Sequence, residues 1–211
     1  GWAILPHIQH PALADTANGL ILLVTLLGLI PLHPQGPSML RRFFAVQGAL
    51  FWLRGLSIGT TILPPPFDHC INVASDSEIV PLEALKVMLG SRTTCGDVLF
   101  SGHAVNITLL TLLWHSYWRP VYLPAGPLRT TAAIVRGAWW GYVVVSCFVI
   151  VATHFHYTAD VVIGLALTLL AWGYYHSACV HGRDRAPKLL RWYEAEEGEI
   201  WDVSRECLVG R

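Results

Sequence analysis

The sequence predicts an all-α polytopic membrane protein, a helical bundle with five spans, on three observations. Of its 211 residues, 54% are hydrophobic and only 13% are charged, against about 25% charged in a typical soluble domain. The apolar residues are gathered into long blocks instead of alternating with polar ones, and each block approaches the roughly 20 residues that cross a bilayer as a helix. The polar residues collect between the blocks, with prolines at most of the breaks. Backbone N–H and C=O groups find no water in lipid, so each block must satisfy them internally as a helix.

Gly1 to Thr16 is a lead-in with Pro6, Pro11 and Asp15, and the first apolar run is Asn18 to Leu32. Pro31, Pro34 and Pro37 break it, because proline lacks a donor and clashes with the preceding turn; Arg41 and Arg42 follow in the connection. The second run, Phe43 to Leu63, carries one charge, Arg54, and Pro64-Pro65-Pro66 stops it. Phe67 to Thr94 is the longest loop, with four acidic residues and a short helix expected over Pro81 to Leu89. The third run is Val98 to Trp118, and a loop from Arg119 to Thr131 leads to the fourth, Ala132 to Ala152, with Arg136 near its start. Thr153 to Tyr157 is a tight connection to the fifth run, Thr158 to Val180. From His181 the chain is charged, with Glu194, Glu196, Glu197 and Glu199 close together. The expected division is a membrane-embedded unit over residues 1–180 and a tail over 181–211.

Lys and Arg set the orientation. Eleven of the fourteen share a side if Arg41-Arg42, the stretch from Arg119 to Arg136 and the tail lie together; Lys86 and Arg92 fall opposite, and Arg54 is within a span. The positive-inside rule makes the richer side cytosolic. Five spans then begin outside and end inside, and a sixth span upstream of Gly1 would return the N-terminus to the cytosol. Zero formal net charge offers no electrostatic case for nucleic acid. Nine Trp and seven Tyr suit two water–lipid interfaces. The five cysteines lack metal-ligand spacing such as CxxC, so neither metal nor cofactor is expected. Cys70 and Cys95 share the long outer loop, where a disulfide and two free thiols fit the sequence equally well.

The chemistry-bearing residues stand at the mouths of the third and fifth runs. Cys95-Gly96-Asp97-Val98-Leu99-Phe100-Ser101-Gly102-His103 opens one, and His156-Tyr157-Thr158-Ala159-Asp160 opens the other. The topology brings both to one membrane face, where two helix N-termini favour phosphate and Ser101 and Gly102 would offer backbone N–H groups. His156 and Asp160, spaced i, i+4, are expected on one helix face. A carboxylate there holds one ring nitrogen and leaves the other as a nucleophile. His103 can protonate a leaving oxygen and later deprotonate an incoming hydroxyl. A lone interfacial histidine is more often a satisfied polar residue, but two at one face, with a carboxylate, are candidates by default because ionisable groups inside spans are costly. Arg54 is expected about 15 Å below Pro64 at 1.5 Å per residue, either on a phosphate or in an ion pair between helices. Asp97 is expected to shape the loop before His103, Glu83 would support His103 from the long loop, and His115 and His176 read as interfacial.

These stretches resemble the lipid phosphatase and phosphotransferase superfamily related to the type 2 phosphatidic acid phosphatases, and within it the sphingomyelin synthase family. Arg41-Arg42-Phe43-Phe44 through Arg54 to Thr61-Ile62-Leu63-Pro64 resembles that family's second motif, Cys95 to Val105 its third, His156 to Gly164 its fourth, and Trp172 to His176 an aromatic segment beyond it. Pro6 to Asp15 resembles a degraded first motif. The resemblance implies a catalytic triad of His103, His156 and Asp160, with His156 the nucleophile. It implies that phosphocholine passes from phosphatidylcholine to His156, releasing diacylglycerol, and then to ceramide, giving sphingomyelin. It also implies a site facing the Golgi lumen or cell exterior, a cytosolic C-terminal tail, and lipids as partners, with self-association left open. Arg54, Asp97, Ser101, Gly102, Phe155 and Tyr157 are the expected substrate contacts. One departure concerns the donor. His154-Phe155-His156 carries Phe where choline-using members have an acidic residue, so phosphoethanolamine or phosphoinositol transfer stays open, although Phe155 could itself face a quaternary ammonium. Gly102, where inositol-transferring relatives have Ser, favours choline or ethanolamine. A lipid phosphate phosphatase is the other reading, weakened because the basic motif that holds a terminal phosphate is not evident.

Overall fold

A computed structural model describes residues 12–33, 35–61, 99–118, 126–154 and 156–180, together with residues 187 and 193. The described residues are helical, without strand. Helix α1 is Ala12–Leu32, with a π-helical stretch at Thr25–Leu29; α2 is Gly36–Thr60; α3 is Gly102–Tyr117; α4 is Pro127–Ala152; α5 is Thr158–Val180. By length and composition, Ala12–Leu32, Arg129–Ala152 and Thr158–Ala178 can cross a membrane. Helix α2 corresponds to the second expected run but holds Arg41, Arg42 and Arg54. Helix α3 has 16 residues, about 24 Å at 1.5 Å per residue, short of a hydrocarbon core of about 30 Å.

Helix α3 is the centre of the bundle and touches all four others. It has no solvent-facing stripe in its middle, as suits an enclosed helix: its residues from Ile107 through Trp114 are all buried, Thr108 and Thr111 included. The outer helices instead expose apolar side chains: Trp52 and Leu56 on α2, Val144 and Val145 on α4, Leu170 and Tyr174 on α5. The α3–α5 crossing is close because Gly164 faces it; a Cβ there would lie 2.9 Å from the Ser101 carbonyl oxygen.

The helix starts differ from the expected runs for identifiable reasons. Helix α1 begins at Ala12, so Asp15 lies in its first turn. Pro31 lies within it: the π-helical stretch ends at Leu29, two residues before this proline, and the wider turn accommodates a residue that would crowd the carbonyl four positions back. Helix α2 begins at Gly36 with Pro37 in its first turn, where proline's missing N–H costs nothing; Arg41 and Arg42 are therefore helical and not in a connection. Helix α3 starts later than Val98, because Phe100 turns through a left-handed φ of 34° and Ser101 caps the helix. Helix α4 starts five residues before Ala132 behind Pro127. The expected loop helix over 81–89, the Cys70–Cys95 pair and Glu83 lie outside the described residues.

Candidate active site

His103 is the second residue of α3, and the local sequence explains its position. Phe100 is buried at 2% exposure in its left-handed conformation, a state uncommon for non-glycine residues and typical of constrained sites. The chain then reverses into Ser101, whose hydroxyl accepts from the Ala104 N–H at 3.3 Å, an N-cap. Ser101 N–H donates to the Asp160 carbonyl at 3.0 Å. The N–H and hydroxyl of Ser101 are thus both engaged within the protein in this structure, and the N–H joins the mouths of α3 and α5.

The second histidine arrives by a similar reversal. His154 has φ 56°, and His156 follows in the turn ahead of α5, which begins at Thr158. His156 and Asp160 therefore do not share a helix face, because His156 precedes the helix. The Asp160 carboxylate is turned back towards the turn, where Oδ2 accepts from the Tyr157 N–H at 3.1 Å. It is a cap that fixes the segment carrying His156. His156 and Asp160 are both buried, at 2% and 3% exposure. The His103 and His156 rings lie edge to face with centroids 6.0 Å apart.

Arg54 reaches the same place from α2. A Cβ on Gly102 would collide with its guanidinium, so the absence of a side chain at 102 allows the cation to lie against the N-terminus of α3. It acts electrostatically on Asp160, and its guanidinium carbon stands 5.8 Å from the Phe51 ring centroid. His103, His156, Asp160, Ser101, Gly102, Tyr157 and Arg54 thus converge. Asp97 and Phe155 lie outside the described residues.

Sequence reasoning gave no role to Asp15. Its Oδ1 lies 2.8 Å from His103 Nε2. The available signal was its i, i+3 spacing to Asn18, whose Oδ1 accepts from Asn106 Nδ2 at 2.6 Å.

The opposite end of the bundle holds the other polar cluster. Arg42 Nη1 donates to the Tyr117 hydroxyl at 2.8 Å, and the His33 ring stands edge-on to Tyr117 at 5.8 Å. Burial lowers the His33 imidazole below its usual range, opposed by a hydrogen bond with the Tyr117 backbone. His115 takes a hydrogen bond from Trp140 Nε1 at its Nδ1, 3.1 Å, and Arg136 Nη2 lies 2.8 Å from its Nε2. Tyr193 donates to the Arg41 carbonyl at 2.9 Å, bringing one tail residue to the arginine end of α2. His176 stacks on Trp172 at 4.1 Å.

Residues 94–177 match the family described as PAP2 superfamily C-terminal. Phosphatidylcholine:ceramide cholinephosphotransferase 1 of Homo sapiens is 31% identical over 153 residues, 65% of this chain and 33% of the relative. Phosphatidylethanolamine:ceramide ethanolaminephosphotransferase of Trypanosoma brucei brucei is 31% identical over 158 residues, 72% of this chain and 45% of the relative. Phosphatidylcholine:ceramide cholinephosphotransferase 2 of Rattus norvegicus is 31% identical over 153 residues, 65% of this chain and 38% of the relative. The chain spans between a third and a half of the length of these relatives.

Proposed function

We propose that this chain, a PAP2-superfamily homologue of the ceramide phosphotransferases, is an integral membrane enzyme that moves phosphocholine from phosphatidylcholine to ceramide. The observation that carries the reading is the pair of histidines 6.0 Å apart, at the mouths of two helices, with Arg54 alongside.

In the first half-reaction, a ring nitrogen of His156 attacks the donor phosphorus. A P–N bond forms, the P–O bond to diacylglycerol breaks, and the leaving oxygen takes a proton from His103. In the second, the ceramide primary hydroxyl gives its proton to His103 and attacks the same phosphorus. The P–N bond breaks and sphingomyelin leaves, with both histidines restored. Asp160 holds the His156 segment through its cap on Tyr157. Arg54 neutralises the non-bridging phosphate oxygens, helped by the positive ends of α3 and α5. Tyr157 lies beside the head group, Phe155 and Asp97 are further contacts expected from the sequence alone, and Ser101 and Gly102 give the mouth of α3 its shape.

A second donor, phosphatidylethanolamine, is favoured by the relative that covers 72% of this chain and by Phe155. Phosphoinositol transfer and lipid phosphate hydrolysis use the same groups with another donor or with water. Residues 1–180 form the catalytic unit and 181–211 a cytosolic tail, with five spans in this chain and the site on the lumenal or extracellular face of Golgi or plasma membrane.

The test is an assay of purified protein with labelled ceramide, offered phosphatidylcholine, phosphatidylethanolamine or phosphatidylinositol separately, beside His156→Ala. A labelled phosphoceramide from one donor, lost in the variant, is the expected result and names the head group. Diacylglycerol release or phosphate hydrolysis without phosphoceramide would replace ceramide with water as acceptor.

A further inference from the structure

We infer that Asp15, on α1, is a positioning residue of the site, holding the His103 ring through Nε2 so that Nδ1 is the nitrogen that exchanges protons with the lipid oxygens. The inference deepens the reading above and rests on it for the identity of those oxygens.

The geometry is one contact supported by a seam. Asp15 Oδ1 lies 2.8 Å from His103 Nε2. An ionised carboxylate only accepts hydrogen bonds, so Nε2 must carry the proton in this pair. Nδ1 is then left to gain or lose one. Three residues further along both helices, Asn106 Nδ2 donates to Asn18 Oδ1 at 2.6 Å. Both pairs are separated by 88 positions, so α1 and α3 run parallel and in register. Lower down, Trp114 Nε1 donates to Thr25 Oγ1 at 2.9 Å. From α4, the Tyr142 hydroxyl donates to the Ala17 carbonyl at 2.6 Å. Asp15 is therefore delivered to His103 by a helix fixed along its length, although its own side chain is 64% exposed and that of His103 17%.

That exposure decides what Asp15 does. A carboxylate so open contributes little through charge alone, so its effect is directional: it sets which ring nitrogen points where. The other groups that face this end of α3 are Arg54 from α2, against Gly102, His156 from the turn before α5, 6.0 Å away ring to ring, and Asp160 of α5, joined by its carbonyl to Ser101 N–H. Asp15 places a carboxylate oxygen against the His103 ring itself.

The test uses the full chain in lipid nanodiscs with 15N-labelled histidine, the His103 signal being assigned with His103→Gln. The wild type is expected to show a downfield, exchange-protected proton on His103 Nε2, lost in Asp15→Ala and Asp15→Asn and regained in Asp15→Glu. Asn18→Ala, which loosens the seam but keeps the carboxylate, should retain it. In the phosphoceramide assay, Asp15→Asn should lower kcat about ten- to a hundredfold, below the roughly 10²- to 10⁴-fold span of a group that transfers the proton itself, with little change in KM, and Asp15→Glu should recover most of it. An Nε2 proton signal unchanged in Asp15→Ala, or a loss confined to KM, overturns the inference. If no donor yields phosphoceramide, the proton signal still decides the Asp15–His103 pairing, and it is the reaction assignment that fails.

Discussion

The two histidines of α3 stand about three turns apart and differ in what their neighbours can do with a proton. His103 has a carboxylate oxygen at Nε2 and a second imidazole across from it. His115 has an indole N–H at Nδ1 and a guanidinium along its edge. An acceptor behind a ring orients it for proton traffic; donors around a ring occupy it. The same residue type on the same helix is thus placed for proton transfer at one end and held as a fastening at the other, and the partner on the neighbouring helix decides which.

The largest expected effect breaks this comparison directly. His103→Gln should lower kcat for phosphoceramide formation by about 10²- to 10⁴-fold, the usual span for a general acid–base group. His115→Gln should leave kcat within about twofold and show itself in the unfolding temperature instead. Similar losses from both substitutions would erase the distinction.

Next comes Gly102→Ala. The added methyl collides with Arg54, so the cation must leave the mouth of α3. A hydrogen bond to a charged group contributes about 1.5–3 kcal/mol, which predicts roughly a 10- to 100-fold loss in kcat/KM. Pairing the change with Arg54→Ala sharpens it: the double variant should be no worse than Arg54→Ala alone, and additive losses would mean that Gly102 acts through something other than Arg54.

At the far end, Arg42→Met should act on stability rather than catalysis. It leaves the Tyr117 hydroxyl without its 2.8 Å donor, at a cost of about 1–3 kcal/mol, measurable as a lower midpoint in thermal unfolding with kcat retained. A catalytic defect larger than the loss of folded protein would count against the separation of the two ends.

The smallest effect belongs to His33, outside the Ala12–Leu32 span. Burial lowers its folded-state pKa below the ordinary 6.5, so the unfolded chain binds its proton first. Stability from this source is present above about pH 6.5 and declines as pH falls through that value towards the folded pKa. His33→Asn should flatten that part of the stability–pH curve, and an unchanged slope would assign it to other groups.

Much of the bundle was legible because lipid removes alternatives: a long apolar block must be helical, and α5 coincides with its run from Thr158 to Val180. The start of α1 was not, because Ala12 to Ala17 reads as a polar-apolar lead-in, and the start of α2 was not, because Pro37 reads as a terminator. Pro31 follows a π-helical stretch and Pro37 occupies a first turn, both places where its missing donor does no harm. His103, His156 and Asp160 were legible as candidates at the mouths of apolar runs, and Arg54 as a charge inside one. What the sequence hid was their mutual geometry. Spacing put His156 on a helix, whereas a left-handed residue at 154 places it in the turn. Asp15 stayed hidden because its partner is 88 positions away and its own surroundings read as a polar lead-in.

The Ser101 N–H to Asp160 carbonyl bond is made by main-chain atoms only. Any residue with an N–H at 101, and any residue at 160, can form it. This one link between the His103 and His156 segments is therefore insulated from side-chain change, unlike the Ser101 hydroxyl and Asp160 carboxylate caps beside it. Side chains that project from the two segments can change without removing this main-chain bond. Proline at 101 is the substitution that strikes the clamp itself, since it alone removes the donor.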